Sequence, residues 1–195
     1  MDVSGDVEKF NCWSVTYEDS WLQYLYFDRI HNGVLGLVDL KSTPGDIVDV
    51  GCGTGRLLRK IRERWPDARL TGIDPAEGMV KKAREMMPDS AFIVSSAESI
   101  PLPDTSADLI FSTTSFHHWS DQGQALREIR RILRPGGQFY LSDIAASPLL
   151  FRFVNHGQIR NHYEIRKMFE EAGLEVRIQR RLLLGHILVT SGIRQ

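Results

Sequence analysis

Gly51-Cys52-Gly53-Thr54-Gly55 follows the run Ile47-Val48-Asp49-Val50 and precedes Leu57 and Leu58, so a strand ends in a glycine turn that opens a helix. Glycines at every second position let the backbone approach a ligand where a Cβ would collide. The amides that start the following helix then face that ligand. Asp49, inside the strand end, repels a pyrophosphate but suits an ammonium group, so a ligand carrying both amine and carboxylate fits the loop. A second acid, Asp74, closes the next strand-like run, where a carboxylate can accept from both hydroxyls of a ribose. Ahead of Pro75, the same acid could instead cap the following helix. Thr113-Thr114-Ser115-Phe116-His117-His118-Trp119 follows a fourth strand-like run. Its two imidazoles could take a proton, orient a nucleophile or bind a metal. Metal is the poorest of these, because adjacent residues rarely turn both rings to one ion and no third ligand is evident.

Competing loop chemistries fail on particular residues. A dinucleotide fingerprint needs a third glycine where this chain has Arg56, and no Lys-Ser or Lys-Thr follows the glycines as a phosphate loop requires. Arg56 and Asp49 together disfavour an NAD(P)-binding Rossmann oxidoreductase. Cys52, among the glycines, reads as a small residue in a tight turn rather than a nucleophile, which would need an activating cation or base.

The elements that must position these residues alternate from residue 46 onward. Strands are expected at Ile47 to Val50, Leu70 to Ile73, Ala91 to Ser95, Leu109 to Ser112 and Gln138 to Ser142. Helices are expected at Arg56 to Trp65, Ala76 to Met87 and 121 to 134, the last ended by Arg134-Pro135-Gly136-Gly137. Strands and helices in turn imply an α/β fold with a parallel sheet covered on both faces. A helix carrying Ile165, Met168, Phe169 and Ala172, capped by Gly173, leads to two runs, Glu175 to Leu183 and Gly185 to Ser191. Too few residues separate them for a crossover, so they pair antiparallel. Before residue 42 the aromatics are dense, and two readings stand: helix packing, or a helical lid that excludes water from the strand ends.

The 195 residues suit one domain, read as a lid over 1-42 and an α/β core over 45-195. A net charge of -1 gives no global attraction to nucleic acid, and 42% hydrophobic with 25% charged residues is ordinary for a globular chain. Cys12 and Cys52 are the only cysteines and neither has metal spacing. With no signal-like N-terminus and no apolar run long enough to span a membrane, a cytoplasmic protein is expected.

Val48 to Leu58, VDVGCGTGRLL, resembles motif I of the class I S-adenosylmethionine (SAM) dependent methyltransferases, in the small-molecule branch called type 11 or UbiE-like. Leu70-Thr71-Gly72-Ile73-Asp74, Met79 through Arg84, Ser96-Ala97-Glu98, Ile100-Pro101-Leu102-Pro103, Ala107-Asp108-Leu109-Ile110 and Leu126 to Ser142 continue that pattern in order. The likeness is close over about residues 45 to 145.

The resemblance implies a Rossmann-like, seven-stranded and mostly parallel sheet in the order 3-2-1-4-5-7-6 with its last strand antiparallel. It implies SAM as cofactor, S-adenosylhomocysteine (SAH) as product, and in-line transfer of a methyl group to a small-molecule acceptor. The cofactor set it implies is Tyr17, Asp49, Gly51, Cys52, Gly53, Asp74, Pro75, Met79, Ser96, Ala97, Glu98 and Thr113. Tyr17 resembles a tyrosine that lies over the cofactor in relatives. Relatives commonly carry Asp where Ser96 stands, so adenine recognition here falls to Ser96, to Glu98 or to a backbone carbonyl. His117 or His118 would assist the acceptor, with His117 expected nearer the methyl. A noncatalytic SAM-binding protein, a monomer or a homodimer, and C, N, O or S acceptors all stay open.

Overall fold

The computed structural model describes residues 7–11, 14, 21–40, 42–144 and 159–195. Seven strands form one sheet: β1 (Asp46–Val50), β2 (Arg69–Asp74), β3 (Ala91–Val94), β4 (Ala107–Thr113), β5 (Leu133–Ile144), β6 (Leu174–Leu182) and β7 (Ile187–Arg194). Their order is β3-β2-β1-β4-β5-β7-β6. β7 runs antiparallel to both β5 and β6, while the pairs among β1 to β5 are parallel. The expected architecture is therefore the observed one. Among the described residues the helices that cover it include α1 (Trp21–Leu35), α2 (Arg56–Arg64), α3 (Glu77–Met86), α4 (Gln122–Ile132) and α5 (His162–Glu171). None among the described residues is long and apolar enough to cross a membrane.

Because side chains alternate along a strand, the apolar runs of the central strands bury both faces. Val48, Ile110, Phe139 and Leu141 pack with Leu126 and Ile129 of α4 and Phe169 of α5. Ile47, Leu109, Phe111 and Tyr140 face the other way, against Ile30 and Val34 of α1, Leu58 and Ile61 of α2 and Val80 of α3. The N-terminal aromatic region thus contributes a core helix, and α1 is joined to α2 by the Asp28–Lys60 ion pair at 3.3 Å.

Charged groups fix the other end of the sheet. Asp46 receives two bonds from Arg69 at 2.6 Å and one from Arg134 at 2.8 Å. Arg134 also pairs with Asp108, whose Oδ2 accepts the amides of Gly45 and Asp46. Bidentate pairs of this kind set register as well as energy, here of β1 against β2 and β4.

Local chemistry moves a few boundaries. β5 begins at Leu133, which pairs with Ala107 before the ladder shifts register, so the Pro-Gly-Gly segment lies within the strand. The final strand starts at Ile187 rather than at Gly185, because Leu183 and Leu184 take left-handed angles (φ 48 and 54) in a 3-10 turn. α5 begins with a capping box between Asn161 and Glu164, and Gly173 follows it at φ 78.

Gly51 has φ +77, and a Cβ there would lie 2.2 Å from the Ser115 hydroxyl, which itself bonds Ser112 Oγ and the Val50 carbonyl. Gly136, at φ +79, has nothing within 4 Å of such a Cβ. Gly136→Ala should therefore lose only the left-handed backbone preference, about 1–2 kcal/mol. Gly51→Ala should lose clearly more. At roughly 2–4 °C per kcal/mol, thermal melts separate them, and equal melting temperatures would mean that Ser115 yields at no cost.

Candidate cofactor and acceptor site

A cleft opens at the carboxyl ends of β1, β2, β3 and β4, the place where open α/β sheets bind ligands. The glycine loop forms its floor. A Cβ on Gly53 would meet nothing within 4 Å, so this stretch of bare backbone borders open space.

Two carboxylates lie beside the loop. Asp74 is nearly buried; its Oδ2 accepts the Gly53 amide at 2.8 Å and its Oδ1 accepts the Ala76 amide at 2.9 Å. It braces the glycine loop and the turn into α3 at once. The helix itself begins at Glu77, with Ala76 at the cap and Pro75 before it, so Asp74 holds a turn ahead of the helix instead of capping it. Burial raises its pKa, while the two amides act in the opposite direction. Asp49 is more extreme: it is 1% exposed and its Oδ1 has no partner. Burial first, and the Asp74 charge second, push its pKa to about 8.

Cations mark a different part of the cleft. Arg56 and Leu57, which open α2, line it together with Phe27 and His31 of α1. His31 is 4% exposed, its Nε2 is 3.3 Å from the Thr113 hydroxyl, and its pKa falls to about 3. Burial is the main cause, followed by the charges of Lys60, Arg56 and Arg59, so the ring is neutral at physiological pH. The positive field at the start of α2 suits an anionic group.

Elsewhere on the wall lie Pro75, Met79, Ser96, Ala97 and Glu98. Met79 and Ala97 are buried and apolar, which suits the face of a base. Glu98 Oε1 takes three donors, the Ser120 amide, the Ser120 hydroxyl and the Asp121 amide. Burial would raise its pKa, but these bonds and one from Ser96 hold it low. Glu98 is thus a clamp between the loops after β3 and β4, and Ser96, which also bonds it, stands on the same wall. Cys52 is buried with its pKa raised well above the thiol range, mainly by desolvation, the opposite of an activated nucleophile.

Thr113, Thr114 and Ser115 continue the wall, and Thr114 holds a left-handed φ of 54. His118 and Trp119 line the cleft; His117 does not. Phe116–His118 is a 3-10 turn, and within it His117 turns toward β5, where its Nδ1 sits 2.6 Å from Asp143 Oδ1. The two histidine rings are 4.0 Å apart, and Phe10 stands edge-on to His118 at 5.2 Å. Of the two rings expected near the methyl, His118 is the one on the cleft wall, while His117 is drawn to the Asp143 carboxylate on the neighbouring strand. Tyr17 lies outside the described residues.

A family model described as a methyltransferase domain matches residues 48–141. Over those residues the chain is similar to that domain. It is 37% identical over 151 residues to a malonyl-[acyl-carrier protein] O-methyltransferase of Hahella chejuensis, covering 76% of this chain and 53% of that protein. It is 32% identical over 124 residues to a demethylmenaquinone methyltransferase of Thermotoga maritima, covering 64% and 53%. The chain therefore spans about half the length of these relatives. A solved SAM-dependent methyltransferase from Thermotoga maritima shares the fold at a TM-score of 0.76, with 21% identity over 95% of this chain and 98% of that one.

Measured against the family's cofactor, the donor set fits: bare backbone at Gly53, an unpartnered carboxylate at Asp49, a strand-end acid at Asp74 and an apolar face at Met79 and Ala97. His31, Phe27 and Asp143 were not singled out from sequence. The two on α1 carry no motif, and Asp143 ends a strand whose pairing with the 3-10 turn exists only in three dimensions.

An acid whose folded pKa lies near 8 keeps its proton between about pH 4 and 8, where the unfolded chain has lost it, so Asp49 lowers stability as pH rises through that window. An ammonium ligand should expel this proton. Calorimetry of SAH binding at pH 7 in buffers of different ionisation enthalpy should show about one proton released and affinity rising from pH 6 to 7.5. In Asp49→Asn the release should vanish; equal release in both proteins would remove Asp49 from the amine site.

Proposed function

We propose that this protein transfers a methyl group from SAM to a small-molecule acceptor, leaving SAH. The observation that carries the reading is the unpartnered, buried Asp49 carboxylate beside an open glycine floor, with cations at the start of α2. Such a cleft suits a ligand with both an ammonium and a carboxylate. A pyrophosphate would meet two buried acids, which argues against a nicotinamide dinucleotide.

SAM, when bound, supplies an electrophilic methyl on a sulfonium. In this reading Asp49 holds its ammonium, and the α2 amides with Arg56 face its carboxylate. Asp74 accepts from the ribose, Met79 and Ala97 cover the base, and Ser96 meets the adenine edge. Gly51, Cys52, Gly53 and Pro75 shape the floor, Thr113 fixes His31, and Glu98 holds the rim. Holding two reactants in line lowers a barrier by as much as ~7–11 kcal/mol, so the loop after β4 has alignment as its first task.

The described residues ahead of β1 serve in this reading as core packing and lid together. Val7 and Phe10 line the cleft, and Asn11 accepts the Gly78 amide at 2.9 Å. A lid that excludes water strengthens every polar contact beneath it. A cytoplasmic setting fits a buried free thiol at Cys52. By their names the two relatives methylate malonyl-[acyl-carrier protein] and demethylmenaquinone, and a small acceptor fits a chain with no large insertion before β6.

Calorimetry should show SAH binding and no NAD binding. Asp74→Ala removes hydrogen bonds to a charged group, ~1.5–3 kcal/mol, so the SAH dissociation constant should rise about ten- to a hundredfold. Because Asp74 also braces Gly53 and Ala76, a melting curve must accompany the titration. A folded variant with unchanged affinity would end the ribose assignment, and NAD binding tighter than SAH would end the methyltransferase reading.

A further inference from the structure

Arg180-Arg181-Leu182-Leu183-Leu184-Gly185-His186 ends β6 and turns into β7, a run that the cleft does not use. β5 and β6 both run antiparallel to β7 and so point the same way, which brings this turn to the end of the sheet where the cleft opens. Leu182 packs against α1, its Cδ1 standing 2.6 Å from where a Cβ on Gly33 would lie, and Leu183 is partly buried against the same core. Leu184 does neither. It is 103% exposed and holds a left-handed φ of 54, a conformation that a side chain resists. A leucine kept in water on a strained backbone gains nothing from folding.

The charges beside it have one sign. Arg180 and Arg181 are exposed and, among the described residues, neither has an ion pair, whereas Arg177 farther back is paired with Glu175 at 3.2 Å. Arg181 Nη1 donates to the Gly185 carbonyl at 3.0 Å, which braces the turn and keeps the guanidinium next to the leucine. More apolar surface borders the same end of the sheet. Ile144, 37% exposed at the end of β5, pairs with Ile187, which pairs in turn with Leu182.

An exposed apolar tip rimmed by cations without ion pairs fits a partner that is apolar within and anionic at its surface. We propose that the turn between β6 and β7 docks this protein on an anionic lipid bilayer, with Leu184 entering the boundary between headgroups and acyl chains and Arg180 and Arg181 facing the lipid phosphates. Docking of this kind needs no methyl transfer and stands independently of that reading.

A second copy of the chain fits this surface less well. β6 is an edge strand, but pairing it with its twin would set arginines against arginines, and the register shift between Val176 and Ile178 bends the edge. A stable protein interface also buries on the order of 1,200–2,000 Å², far more than one leucine tip offers. Attachment through a single tip is weak, so it should be reversible and screened by salt.

Cosedimentation with vesicles reads the docking directly, using phosphatidylcholine alone and equal parts of phosphatidylcholine and phosphatidylserine. The full chain should pellet with the mixed vesicles, stay in solution with phosphatidylcholine alone, and be released as salt is raised. Arg180→Gln should lower the partition coefficient about fivefold. Leu184→Gly separates docking from folding, because glycine takes this backbone angle without strain. Its melting temperature should not fall, yet its partition coefficient should drop about tenfold or more. A leucine kept for folding would give the reverse, a lower melting temperature and unchanged partitioning.

Wild-type protein that ignores the mixed vesicles, or binds both kinds alike, would overturn the assignment. So would Leu184→Gly and Arg180→Gln proteins that partition like wild type. A concentration-dependent dimer that Leu184→Gly abolishes would also overturn it, since the tip would then be a contact between copies.

Discussion

Two carboxylates buried at neighbouring strand ends set the terms for this molecule. Asp49 and Asp74 share one pocket, and the charge of Asp74 helps raise the pKa of Asp49 to about 8. Burying like charges together is costly unless something of opposite sign joins them. Asp74 reduces its own cost by taking the amides of Gly53 and Ala76. Asp49 has no such relief at Oδ1. The fold thus keeps a proton on Asp49 that a cationic ligand can displace, and the glycine loop leaves the space in which that ligand can lie.

The rest of the sheet serves that arrangement. At the amino end, Asp46, Asp108, Arg69 and Arg134 tie β1 to its neighbours. These pairs are partly exposed, and their value is in register more than in free energy. Between the two ends, apolar side chains fill both faces, so β1 has no freedom to slide. A one-residue slip would turn Asp49 to the opposite face and bring Val48 or Val50 into its place.

Across the cleft the chemistry changes character. The start of α2 is cationic, and neutral His31 sits within that field, bonded to Thr113. The loop after β4 carries His118 on the cleft wall and His117 turned to Asp143. One side of the site is therefore suited to holding a zwitterionic donor. The other carries the His118 ring on the cleft wall, next to the end of β4.

The sequence alone determined the α/β class, the glycine turn, and the strand-end placement of Asp49 and Asp74. Those features are local: a run of apolar residues, a spacing of glycines, an acid at a fixed step from each. The full strand order came from likeness to a family, since periodicity cannot say which strands pair. Boundaries near Leu133 and Gly185 slipped because register and left-handed leucines, rather than composition, decide them. Ser96, Glu98 and a backbone carbonyl stood as alternatives from sequence, and that Glu98 Oε1 takes the Ser120 and Asp121 donors is a fact of the tertiary structure. His117 and His118 differ by one position, and their separate fates rest on Asp143, twenty-six residues away in the chain. Local pattern fixes what a segment is; burial and contact between distant segments decide which of its groups stay free to act, and only the tertiary structure brings those segments together.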